Sequence, residues 1–164
     1  YAPGYNLRGE LWVDLETYDR AVADFNQALS FAPSHANAYD NLADLARQAG
    51  DLSRAIENYS LALRHNPRHA DALYQLGFIY ALQDKYEQAI QNIRASLEIQ
   101  PGVGLRYGFL AQIYARQRSE EPFFHYLQLA LDHGYPLSEL ADDPAFRNYR
   151  DHPRFQQIMN AHGQ

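Results

Sequence analysis

The side chains able to do chemistry in this chain are twenty carboxylates and seven histidines, with no cysteine at all. The missing thiols exclude thiol nucleophiles, disulfides and Cys-ligated zinc, but leave the compartment open, since cytosolic and periplasmic proteins can both lack cysteine. Zinc-binding histidines stand four apart on one helix face in a His-Glu-x-x-His run. His65 and His69 have that separation but flank Pro67, which puts them on different helices. A histidine at a helix end complements the backbone dipole or is simply solvated, and that is the expected role of both. Asp142-Asp143 and Asp151-His152 have the oxygen ligands of a hard-cation site, yet helix N-caps just before Pro144 and Pro153 explain the same acids with less. Gly102-Val103-Gly104 lacks the third glycine and the preceding strand of a dinucleotide site, and no Gly-x-Ser-x-Gly elbow occurs. Carboxylates one helical turn apart, such as Asp40 and Asp44, are abundant on solvated faces. The chemistry on offer is charge recognition: no catalytic residue, no metal site and no cofactor is expected.

These groups must be held by a folded chain. At 164 residues, 46% hydrophobic and 21% charged, the sequence has the composition of a globular domain or a short repeat array. The longest apolar runs, such as Leu76 to Leu82, fall far short of the ~20 residues that cross a bilayer, so no membrane insertion is expected. No charged-then-apolar leader opens the sequence, which begins at Tyr1 and has the look of a processed chain or a fragment. The net charge of −6 argues against nucleic acid, whose partners show a basic stripe. Thirteen arginines against the single Lys85 read as compositional bias of the source.

An internal period organises the chain. Pro33, Pro67 and Pro101 stand 34 residues apart, and Pro136 falls one residue late. Ala21, Ala55 and Ala89 share the interval, as do Phe25, Tyr59 and Ile93, and then Ala28, Ala62 and Ser96. Earlier in each unit Gly9, Ala43, Gly77 and Ala111 recur, with Trp12, Ala46, Tyr80 and Tyr114 three positions on. Small residues fit where two antiparallel helices approach closely, and large apolar ones fill the space beside them. Each proline ends a second helix, because it lacks an N–H and disfavours helix in the residue before it. Turns within the units are expected at Leu15-Glu16-Thr17, Ala49-Gly50-Asp51 and Gln83-Asp84-Lys85. Between the turns apolar residues recur every three or four positions, as at Ala55, Ile56, Tyr59, Ala62 and Leu63, which is helix and not strand.

This pattern resembles the tetratricopeptide repeat. Residues 70–103 carry it through Leu73, Leu76, Gly77, Tyr80, Ala89, Ile93 and Pro101. Residues 36–69 carry it through Tyr39, Leu42, Ala43, Ala55, Tyr59 and Pro67, and residues 2–35 through Tyr5, Gly9, Trp12, Ala21, Phe25 and Pro33. The resemblance implies an all-α fold, a right-handed α-α superhelix of three regular repeats and one irregular repeat over 1–136. A C-terminal helical cap over 137–164 completes it. The irregular repeat, 104–136, has Phe123 where the small alanine belongs and Pro122 in the first turn of its second helix, behind Ser119 as N-cap. Its two helices are expected to be splayed, or the second one shifted. In 137–164 the period stops, and Asp143-Pro144 and Asp151-His152-Pro153 read as two helix starts with acidic caps. Phe146, Tyr149, Phe155, Ile158 and Met159 supply apolar faces to cover the last repeat. The tail also looks like those that follow bacterial arrays of this family.

In such arrays the first helices line a concave groove that binds peptides or helices of other proteins. Carried onto this chain, that groove presents Asn6, Glu10, Asp14, Asn37, Asp40, Asn41, Asp44 and Asp71, with Arg47 as a basic exception. A second zone presents Tyr74, Gln75, Phe78, Leu82, Phe109, Gln112 and Arg116. An acidic zone beside an aromatic one favours a polypeptide partner carrying Lys or Arg next to bulky apolar residues. The bland alternative is a solvated acidic face and ordinary packing of Phe78 and Phe109. Co-chaperone members that grip a C-terminal carboxylate use Lys, Asn, Asn, Lys and Arg. The matching positions here hold Asn6, Glu10, Asn41, Asp71 and Gln75, so only Asn41 fits and two have the wrong charge. The function expected is a non-catalytic scaffold for a polypeptide. The rival is a self-associating structural module, stacking through its apolar C-terminal half or its Trp12 end into a homo-oligomer.

Overall fold

The computed structural model describes residues 1–136, 138–139 and 143–162. Its described residues form helices and turns without strand. The helices are α1 (Ala2–Asp14), α2 (Tyr18–Phe31), α3 (Ala36–Gln48), α4 (Leu52–His65), α5 (Ala70–Leu82), α6 (Tyr86–Ile99), α7 (Gly104–Arg116) and α8 (Glu120–Asp132), a 3-10 helix (Pro144–Tyr149), and α9 (Pro153–His162). The chain forms two compact units, Tyr1–Ile79 and Tyr80–Gln164, whose boundary falls within α5.

The 34-residue period is written into the backbone. Glu16, Gly50, Asp84 and Arg118, one in each hairpin turn, all have positive φ, between 54° and 79°. The N–H groups of the next residues, Thr17, Asp51, Lys85 and Ser119, reach back to the carbonyls of Trp12, Ala46, Tyr80 and Tyr114 at 2.8–2.9 Å. A left-handed residue followed by this six-to-one bond is the Schellman ending, and it satisfies carbonyls that the last helical turn leaves open. Only the second hairpin uses glycine there. The other endings differ: α2, α4 and α6 stop at Ala32, Asn66 and Gln100 in one shared extended conformation, directly before the prolines.

In the first unit, α1 packs along α2 and α3 along α4. Gly9 is held small by Phe25, since a Cβ there would come within 2.5 Å of the ring. Ala21 and Phe25 of α2 bury Leu42 and Leu45 of α3, with Trp12, Val13, Val22 and Leu29 alongside. Repeat register also explains Arg8, which stands where Leu42, Leu76 and Leu110 are otherwise found. Its guanidinium clasps the buried Asp24 with two bonds of 2.6 and 2.7 Å, and Trp12 Nε1 donates to the same carboxylate. Arg8, by these bonds, holds the Asp24 carboxyl below its ordinary range.

The second unit corrects one expectation. α7 and α8 pack along each other as fully as the earlier hairpins do, so the irregular hairpin is not splayed. The Phe123 ring joins Phe124, Phe146, Tyr149 and Phe155, with centroids 4.2–6.3 Å away, in a core formed by α7, α8, the 3-10 helix and α9. Small residues on α7, Ala111 and Ala115, complete that core. Phe123 therefore fills the space that the tail encloses.

Asp143 caps the 3-10 helix by accepting the Ala145 N–H. α9 is capped by His152, whose Nδ1 accepts the Arg154 N–H, and not by Asp151. The capping residue is the one directly before the first helical residue, and with Pro153 opening α9 that residue is the histidine. Ser119 precedes α8 as expected but makes no side-chain cap bond.

Candidate functional site

α1 and α3 run side by side in the first unit, and repeat register sets their polar residues in matching rows. Asn6, Glu10 and Asp14 on α1 correspond to Asp40, Asp44 and Gln48 on α3, and then to Tyr74, Phe78 and Leu82 on α5. Residues four apart share a helix face, so each helix presents its trio in line.

The amides in this array hold the acids in place. Asn6 is only 6% exposed, which differs from the exposed position expected for it. It donates to Glu10 Oε1 at 2.8 Å, while Asn41 donates to both Asn6 Oδ1 and Glu10 Oε1 at 3.2 Å. Asn6 is thus a support beneath the surface, linking α1 to α3. Asp44 accepts the hydroxyl of the fully buried Tyr59 and lies 3.6 Å from Arg47. Burial and that bond to Asp44 raise the Tyr59 hydroxyl's pKa.

Asp40 is held differently. One oxygen, Oδ1, is buried with no hydrogen-bond partner, and Oδ2 lies 3.6 Å from His69 Nε2. His69 in turn caps α5, its Nδ1 accepting the Ala72 N–H. Burial pushes the Asp40 carboxyl up to about 6; His69 opposes this, and the neighbouring Asp44 and Asp71 add to it.

Between α1 and α3 lies a pocket of about 160 Å³ lined by Glu10, Val13, Asp14, Asn41, Asp44, Leu45 and Gln48. Four of the residues singled out from the sequence, Glu10, Asp14, Asn41 and Asp44, meet there. Asp40 and Asp71 stand close enough for their charges to interact, outside the pocket wall. Asn37 and Asp71 are exposed, and Tyr74, Gln75 and Phe78 are half-buried on α5. Leu82, Phe109, Gln112 and Arg116 belong to the second unit. There Leu82 and Arg116 are exposed, Phe109 is half-buried, and Gln112 donates to Asp143. Val13, Leu45 and Gln48 complete the lining and carry no site signal in the sequence. Val13 and Leu45 carry the signal of core positions, and they give this pocket an apolar part of its wall alongside three carboxylates.

Such a pocket suits an alkyl chain ending in a positive charge, because long basic side chains lay their stems on apolar surface and keep the charged head at a polar rim. Among the described residues no three His, Cys, Asp or Glu side chains gather as metal ligands. Asp142, half of one acidic pair considered for a cation, lies outside the described residues. Its neighbour Asp143 is engaged by Ala145 and Gln112. Among the described residues no helix is long and apolar enough to cross a membrane.

Comparison with known proteins gives consistent matches. Two family models, each described as tetratricopeptide repeat, match residues 41–103 and 2–35. Among solved structures the chain is similar to YrrB, described as a TPR protein with an unusual peptide-binding site, at a TM-score of 0.81 and 14% identity over 99% of this chain and 84% of that one. It is similar to PilF of Pseudomonas aeruginosa at 0.78 and 22%, covering 99% and 76%. It is similar to MamA at 0.74 and 21%, covering 80% and 77%. No curated protein matches the sequence.

Proposed function

The chain belongs to the tetratricopeptide-repeat family, and from that premise we propose that it is a non-catalytic scaffold that binds a segment of a partner polypeptide. The guest lies against the first helices and places a Lys or Arg side chain in the pocket between α1 and α3. The observation that carries this reading is the pocket itself. Glu10 and Asp44 are fixed by Asn6, Asn41 and Tyr59, while Asp14 is exposed at the edge. Carboxylates already oriented by the fold lose little freedom on meeting a cation. The exposed Asn37 and Asp71, together with Asp40, extend the acidic field that would steer a basic guest. Tyr74 and Phe78 on α5, and Leu82, Phe109 and Arg116 beyond the unit boundary, are proposed as further guest contacts.

The test is selection from a displayed random-peptide library. Enriched peptides should carry Lys or Arg, and Asp14→Lys should weaken them about tenfold or more, the equivalent of roughly 1.4 kcal/mol. Peptides without a basic residue, or binding indifferent to Asp14→Lys, would remove the pocket from the account.

A second reading, assembly with copies of itself, is favoured by one observation. Leu11 is 54% exposed, whereas its repeat equivalents Leu45, Ile79 and Ile113 are 8%, 0% and 1% exposed. Leu7 and Leu15, one turn to either side, are exposed as well. Leu45 is covered by α2 of the hairpin before it, so α1 displays an apolar line of a kind that a helix elsewhere covers.

A further inference from the structure

The four hairpins place Trp12, Ala46, Tyr80 and Tyr114 at one repeat position, and the second hairpin alone lacks a ring there. In the first hairpin the guanidinium of Arg20 lies over the Trp12 ring, 4.8 Å from its centroid. The repeat equivalent of Arg20 is Arg54, so the second hairpin has the arginine of the first without its ring. The side chain of Arg54 has no hydrogen bond, ion pair or ring contact within the described structure.

A crevice of about 430 Å³ opens at this point in the first unit. Its wall is Tyr18 and Val22 of α2 with Leu42, Leu45, Ala46 and Ala49 of α3 and the turn after it. Asp19, Gln48, Asp51 and Arg54 form its polar part. The volume falls within the range of about 300–1,000 Å³ common to ligand pockets. Leu45 and Gln48 line both this crevice and the acidic pocket, so the two cavities share a wall.

We propose that the crevice is an aromatic subsite: a Trp, Tyr or Phe side chain of the guest polypeptide fills the space left by Ala46 and stacks under Arg54. This rests on the reading of a polypeptide partner given above and extends it to a two-part motif. Cavities that share the wall of Leu45 and Gln48 are bridged by roughly two to four residues of extended chain at about 3.4 Å each, which sets the spacing between the guest's basic and aromatic residues. Charge supports the same guest. Glu10, Asp14 and Asp44 in one cavity and Asp19 and Asp51 in the other outnumber Arg47 and Arg54, so the continuous surface favours a cationic segment. Asp51 is already fixed as the N-cap of α4 through the Arg54 N–H.

The ring subsite is tested with N-acetyl-tryptophanamide titrated into the ¹⁵N-labelled chain, read as amide shifts. The expected shifts centre on Ala46, Ala49 and Arg54 and saturate. Ala46→Tyr, which restores the ring found in the other hairpins, should abolish them. Ala49→Leu, at an exposed position on the crevice wall, should do the same without disturbing a buried residue. Arg54→Ala should weaken binding about two- to five-fold, the size of an exposed cation–π contact. Absence of saturable shifts, or shifts that survive both filling variants, overturns the subsite. A parallel titration with N-acetyl-lysinamide reports on the acidic pocket. Loss of the lysine response alone sinks the charge reading and leaves the ring subsite standing, and loss of the tryptophan response alone does the reverse.

Discussion

Asp40 is the residue whose ionisation the fold opposes most plainly, since one of its oxygens is buried without a partner. Burial, with Asp44 and Asp71 nearby, lifts its carboxyl from 3.8 to about 6, and only His69 pulls the other way. The folded chain therefore holds a proton that the unfolded chain releases between those two values. A group of this kind stabilises the fold below its unfolded pKa, and the benefit is lost as the pH rises through 6. Asp40→Asn should remove that dependence and raise stability at pH 7.5 by about 1–2 kcal/mol, less than the ~3 kcal/mol of the full shift because the amide that replaces the carboxyl is itself buried without a full set of partners. Urea unfolding at pH 4.5 and 7.5 measures it, and an unchanged slope between the two would refute the burial argument. At this scale the sequence was informative about side-chain type and row, and silent about partners. Glu10, Asp14, Asn41 and Asp44 share a pocket because 34-residue spacing puts α1 and α3 in register. Asn6 looked identical in kind, but its depth depends on how closely α3 approaches α1, which spacing does not encode. The crevice was hidden for a related reason: Ala46 reads as a tolerated small residue until Arg54 is seen with nothing to cover.

Secondary structure was the most legible level, because prolines, small residues and aromatics all repeat at one interval and each has a mechanical reason to do so. What spacing could not reveal was the chemistry of ends. The tail helix α9 takes its cap from His152, and the expected acid stands one residue too early. Phe123 is too large for the small-residue position of its own repeat, and the room for it comes from Phe146, Tyr149 and Phe155, far along the chain and outside the period. The hairpin turns permit a clean test. Gly50 sits at φ 79° with nothing within 4 Å of a Cβ built there, so Gly50→Ala probes backbone strain alone. The left-handed region costs a non-glycine residue roughly 1–2 kcal/mol, partly offset by alanine's smaller entropy loss on folding. A net loss of about 1 kcal/mol is expected from thermal or urea unfolding. Glu16, Asp84 and Arg118 already bear that strain at the matching positions, so Arg118→Gly should change stability by less than this and in the stabilising direction.

For the molecule as a whole, holding a guest and pairing with a copy draw on different surfaces, and this makes them separable. The acidic pocket and the crevice lie along α3, where α1, α2 and α4 meet it. The exposed line of Leu7 and Leu11 on α1, continued by Leu15 at its C-cap, borders neither cavity. A net charge of −6 resists pairing at low ionic strength and attracts a basic guest under the same conditions. Salt should therefore act in opposite senses. Added salt screens surface charge over about 10 Å at 0.1 M, so it weakens capture of a Lys/Trp peptide mainly through a slower on-rate, while it leaves apolar pairing intact or strengthens it. The double variant Leu7→Gln/Leu11→Gln carries the decision. Its mass by light scattering should stay at that of one 18.8 kDa chain across a concentration series at high salt, with tryptophanamide and peptide binding equal to wild type. If the wild-type mass climbs with concentration and the double variant's does not, self-assembly through α1 stands beside guest binding. If the variant loses the guest as well, α1's apolar line belongs to the binding surface, and the two-cavity site is too small a description of it.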